Sequence, residues 1–175
     1  MIFDFITYMQ SIAENLLALG HSATTKHFFR VSGISGLEEI LQNLSTAEFP
    51  ALCVVDNPEG RMASDNRAGV IDRQYYYFFV IKPSKTEDAD SRHEAIADSL
   101  TISKQIVSKI LNDYMNENRV FGNATGLMRL QTDSFSYKSV GPLGDNCHGV
   151  WISFAVINES GIRYDTSQWK PAITS

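Results

Sequence analysis

Gln74-Tyr75-Tyr76-Tyr77-Phe78-Phe79-Val80-Ile81-Lys82-Pro83 is the stretch on which the fold turns. Five consecutive aromatics followed by two β-branched residues make a strand with bulky apolar groups on both faces. Such a strand needs two covers. The chain's own helices can supply one, and the reading leaves the other to a second sheet or another subunit. Assembly therefore comes into question before catalysis does.

Upstream of the run, Asp56-Asn57-Pro58-Glu59-Gly60 is turn chemistry, and residues 61–68 have no usable periodicity. Together they predict a long, mobile hairpin arm at about 56–68, between a short strand at 51–55 and the aromatic strand, which Pro83 closes. Before that lie an amphipathic helix over 2–19, with Phe5, Ile6, Met9, Ile12, Ala13, Leu16 and Leu17 on one face, and Gly20 as its stop. A strand at 27–31 and a short helix at 36–44, with Leu37, Ile40, Leu41 and Leu44 inward, follow.

Downstream, residues 84–90 read as an acidic linker, and Ser91 with Glu94 has the spacing of a capping box. A long helix is expected from there to about Asn118, its inward stripe being Ile96, Leu100, Ile106, Val107, Ile110, Leu111 and Tyr114. Alternation predicts a strand at 127–137, a turn at 141–146 and a last strand at 148–158 carrying Trp151, Phe154, Val156 and Ile157 on both faces. The sum is an α+β fold: residues 1–158 as one domain, a mainly antiparallel or mixed sheet with two long helices packed on one face, and a tail at 159–175. Tail aromatics such as Tyr164 and Trp169 need something to dock on.

A chain of 175 residues, 43% hydrophobic and 20% charged, is enough for one domain with a full core. A net charge of -5 and a pI near 5.3 argue against nucleic-acid or anionic-membrane binding, which needs clustered Lys and Arg. No basic leader and no apolar run of about 20 residues is present, so a protein that stays in the cytoplasm is expected.

The chemistry-bearing residues have plainer readings. Asp56, Glu59, Asp65 and Asp72 surround the arm and could hold Mg²⁺ for a nuclease, but no acidic-x-Lys triplet follows Asp72, and Asp56 suits an Asx turn. His21, His27, His93 and His148 lack a paired metal spacing. Gly33-Ile34-Ser35-Gly36 lacks the Lys or Thr of a phosphate loop, and Ser35 reads as a helix cap. Cys53 is a small apolar strand residue; Cys147 beside His148 invites a nucleophile reading, but neighbours on an extended chain point apart. A Cys53–Cys147 disulfide stays open, with the reduced state favoured. Arg61, Arg67 and Arg73 alternate with Glu59, Asp65 and Asp72, a mixed charge that suits a solvated loop or a surface choosing its partner.

In the order of these elements the chain resembles the phage tail terminator and tail-completion proteins. Their amphipathic first helix corresponds to Phe5 through Leu17, their armed hairpin and central strand to 51–81, and their long helix to 91–118, with two strands last. The likeness covers about residues 2–158 and rests on element order, not on a signature motif. It implies a non-enzymatic protein without cofactor or metal, forming a homo-oligomer such as a hexameric ring. That ring would contact the tail tube and head–tail connector, in the cytoplasm during assembly and in the virion afterwards. Interface candidates on that reading are Arg61, Asp65, Arg67, Tyr76, Phe78, Trp151 and Trp169. The rival is a small-ligand module or small enzyme with a pocket lined by Tyr75, Tyr77, Phe79 and Trp151.

Overall fold

The computed structural model describes residues 4–41, 48–57, 59–64, 70–116, 128–144 and 146–158. In chain order they form α1 (Phe5–Asn15), β1 (Phe28–Val31), α2 (Gly33–Leu41), β2 (Ala51–Val55), β3 (Glu59–Ser64), β4 (Val70–Pro83), α3 (Ala89–Asn116), β5 (Met128–Leu143) and β6 (Cys147–Asn158). The expected α+β domain with a mixed sheet is what they build.

The six-stranded sheet runs β1-β2-β4-β6-β5, with β3 beside β4. Among the described residues only β1 and β2 are parallel, joined by the stretch that holds α2, and the other pairings are antiparallel. The aromatic strand β4 is the centre. On one side β6 follows it from Asp72↔Asn158 to Pro83↔Cys147, while on the other β3 takes its first half and β2 its second. Gly149 permits this close fit, because a Cβ there would lie 2.0 Å from the Val80 carbonyl oxygen.

Directly paired residues share a face, so the register divides the sheet into two. On the inner face Leu52, Val54, Tyr76, Phe78, Val80, Val150, Ile152, Phe154 and Val156 pack under α1 and α3, through Phe5, Met9, Ile12, Ile102, Ile106 and Ile110. This is the two-helix layer that the sequence predicts. Rings lock it together: Phe5 tilts onto Tyr76 at 4.7 Å, and Phe135 stacks on Phe154 at 5.0 Å. On the outer face Leu37 and Leu41 of α2 pack on Val31, Ala51, Cys53, Phe79, Ile81 and Cys147.

Element ends depart from expectation for local reasons. Asp4 caps α1, accepting from the Thr7 amide at 3.0 Å, and the Thr7 hydroxyl and amide hold its carboxyl below the usual range. The helix stops at Asn15, Gly20 turns the chain at φ +63°, and Leu17, expected inward, is 98% exposed. For α3 the cap is Asp88, whose carboxylate accepts from the Ser91 amide at 2.9 Å; Ser91 itself lies inside the helix and accepts from the Lys85 amide. The line of α3 against the sheet is Ala95, Ser99, Ile102, Ser103, Ile106 and Ile110, and Ile96, Leu100, Val107, Leu111 and Tyr114 pack at its rim. Small residues in the middle let the helix lie close. Ser35 is likewise inside α2, not before it. Part of the aperiodic stretch at 59–64 is β3, and β5 runs on to Leu143 through the expected turn.

Candidate functional site

Among the described residues the outer face stays open beside α2 and closes at Phe79, which is buried in the cluster that α2 builds. Its rows follow from the register. Arg61 of β3 stands directly opposite Arg73 of β4, and Arg73 in turn opposite Ile157, with Arg129 beyond it on β5. The next row sets Glu59 against Tyr75, and the third sets Tyr77 against Ser153 and Ser136. The fourth joins Phe79, Trp151 and Lys138.

Four contacts knit the aromatic rows. Tyr77 donates its hydroxyl to Glu59 Oε2 at 2.9 Å, and its ring lies 5.4 Å from that of Trp151. Trp151 stacks on Phe79 at 5.9 Å, and Lys138 Nζ sits 3.5 Å above the indole. Burial pushes the Tyr77 hydroxyl up to about 12, helped by its hydrogen bond to Glu59 and that carboxylate's charge. The Trp151 Nε1 is buried without a partner among the described residues.

The interface candidates fall into three groups. Arg61 lies exposed on β3 and Trp151 half-buried on the outer face, in one continuous sheet surface. Tyr76 and Phe78 must be withdrawn: they are 5% and 0% exposed, sealed under α1 and α3. An aromatic strand loaded on both sides does not reveal which parity the helices cover. Asp65, Arg67 and Trp169 lie outside the described residues. Of the rival grouping, Tyr77 and Phe79 do lie against Trp151, while Tyr75 stands two rows away on the same face; missed by the reading were Lys138 over Trp151 and the facing of Arg61 on Arg73. Only the register could pair those arginines.

No protein-family model matches this sequence, and no curated protein matches it as a relative. The site therefore has to be read from its own geometry.

The other chemistry-bearing residues have local partners. Asp56 pairs with Arg30 at 3.5 Å and accepts from Ser32, fastening β2 to β1, while Asp72 accepts from Gln74 at 2.8 Å. Among the described residues no three His, Cys, Asp or Glu side chains gather as a metal site would require. His148 Nδ1 meets the Ser84 hydroxyl at 3.0 Å, but Ser84 also donates to the Asn146 carbonyl and Asn146 returns a bond to Ser84, so the group clamps a turn. Neither cysteine is in a disulfide and both are buried, and burial holds the Cys53 thiol far above its usual range.

Two grooves lie elsewhere. One of about 520 Å³ runs between α1 and α3, lined by Tyr8, Ile12, Leu16, Ile106, Lys109 and Asp113; Asp113 accepts there from the Tyr8 hydroxyl at 2.8 Å and from Lys109. The other, about 560 Å³, follows β1 between α1 and α2. Among the described residues no helix is long and apolar enough to cross a membrane.

Proposed function

We propose that this chain is a structural tail-assembly protein of a phage or prophage, of the terminator or completion type. On this reading it joins copies of itself into a ring and docks on the tail tube or the head connector, in the cytoplasm first and then in the virion. The observation that carries the reading is the uneven cover of the sheet. Among the described residues α1 and α3 bury the inner face, and α2 helps bury only β1, β2 and the adjoining ends of β4 and β6 on the outer face. Beyond them β3 and the first half of β4 continue as a ribbon on which Glu59 through Ala63 are exposed, next to the open aromatic rows. A ring needs two different patches on every subunit, and an exposed edge strand beside a flat aromatic face suits such a contact. The element order that motivates the resemblance is also the order of the fold.

The test is the oligomeric state. Light scattering on the native chain should give a multiple of 19.6 kDa. Replacing residues 57–68 by a tight turn should leave a folded monomer. An oligomer unchanged by that trim would take the ribbon out of the argument, and a native monomer at high concentration would remove the ring reading altogether. Tail-tube and tape-measure genes as genomic neighbours would support it independently.

A further inference from the structure

Arg61 and Arg73 stand directly opposite one another on the outer face of the ribbon. Like charges in that position repel and destabilise a strand pair. The described ion pairs are Arg30–Asp56, Lys82–Asp98 and Lys109–Asp113, and none of them relieves the two arginines. The nearest carboxylates in sequence are Asp72, which points to the inner side and accepts from Gln74, and Glu59, which lies on the same face one row away and accepts from the Tyr77 hydroxyl. Arg129 stands further along the same row. A protein with a net charge of -5 thus sets two guanidinium groups opposite one another at one end of one face.

The opposite end is acidic. β4 runs 14 residues from the ribbon to Pro83, and at about 3.3 Å per residue its ends are some 40 Å apart. Just past the far end come Glu87 in the turn before α3 and Asp90 and Glu94 in its first turns, all exposed, and they outnumber the exposed Lys85 and Arg92 among them. Asp88 is occupied as the helix cap and Asp98 by Lys82, but these three form none of the described ion pairs. One chain therefore carries a cationic patch and an anionic patch that cannot reach each other.

From this, and resting on the ring reading above, we infer that the Arg61–Arg73 face of one copy docks on the Glu87–Asp90–Glu94 segment of the next copy. Carboxylates placed over the arginine pair remove the repulsion, and guanidinium groups take them as two-pronged hydrogen-bond acceptors. Because the patches differ and lie at opposite ends, the contact is head-to-tail, the kind that generates rings. Charge at both ends also selects the partner and suppresses the like-with-like contact.

Reversing charge on each side separately tests this. Arg61→Glu with Arg73→Glu, and Glu87→Lys with Glu94→Lys, should each give a chain with native circular dichroism that light scattering finds as a monomer. Mixed in equal amounts, the two variants should recover the native mass. Each arginine-reversed copy then offers a native acidic end to a native ribbon, and the other junction is complementary with its signs exchanged. Assembly by the Glu87→Lys, Glu94→Lys variant alone would overturn the inference, since the ribbon would then be docking elsewhere, and the ring reading would survive. Two monomeric variants that stay monomeric when mixed would overturn it as well. A native chain that is itself monomeric would instead count against the ring reading.

Discussion

The two faces of the sheet are built from the same kind of residue and have opposite fates. Tyr76 and Phe78 point inward and are sealed by α1 and α3; Tyr75 and Tyr77, their chain neighbours, point outward and stay half-open. Aromatic content alone therefore decides nothing about core or surface. What decides is the reach of the helices: α3 is 28 residues long and overlies β4 and β6, while α2 is nine residues long and builds its core with β1, β2 and the Phe79, Ile81 and Cys147 ends of β4 and β6. The outer face is core where α2 lies on it and candidate interface where α2 ends.

The largest expected effect is on the inner side. Phe78→Ala should cost about 3–5 kcal/mol, because the ring is wholly enclosed and the void cannot collapse between a sheet and two helices. Tyr75→Ala should cost roughly 1 kcal/mol or less in the same denaturant titration, and should act on assembly instead. Equal losses would mean that the outer rows are core after all, and the comparison would fail.

Next comes the covered half of the outer face. Leu37 is fully buried between α2 and the β1–β2 end, so Leu37→Ala should cost about 2–5 kcal/mol. A loss as small as that of Tyr75→Ala would show that α2 is a loose flap, and would extend the open surface over the whole outer face. A smaller effect belongs to the rim. Lys138→Ala removes the cation over Trp151, and should cost about 0.5–1 kcal/mol while changing the indole emission.

Much of this was legible in the sequence, and the rest was not for identifiable reasons. The strand at 74–83 announces itself by its β-formers, and the two-sided load correctly demands two covers. The second cover proved to be in part α2, whose Leu37 and Leu41 are too few to show by periodicity which side of the sheet they will meet. On α3, large residues pointed the stripe at Ile96 and Leu100, because hydrophobicity does not register that Ser99 and Ser103 suit a close approach. Choosing Tyr76 and Phe78 as exposed failed on a question of parity, which alternation leaves undetermined when both parities are aromatic. The Arg61–Arg73 opposition was out of reach, since it depends on the register of β3 on β4.

The finest probe sets one neighbour against the other. Tyr76 and Tyr77 both have hydroxyls pushed up to about 12, Tyr76 by burial and then the charge of Asp72, Tyr77 by burial and then Glu59. In the unfolded chain a phenol ionises near pH ~10. Below that both states hold the proton and the contribution of these tyrosines is fully present. As pH rises from about 10 to about 12 the unfolded chain releases protons that the folded chain retains, so stability falls through this window. Glu59→Ala, which should cost below about 1 kcal/mol at neutral pH because the lost hydrogen bond is exposed, removes two causes for Tyr77, the hydrogen bond and the charge, and none for Tyr76. A phenolate absorbance titration should show one late-ionising tyrosine moving down and the other staying, with Tyr76→Phe identifying the one that stays. If both move, Glu59 acts through the sheet, and the inner and outer faces are not the independent surfaces that the contrast between Tyr76 and Tyr77 makes them.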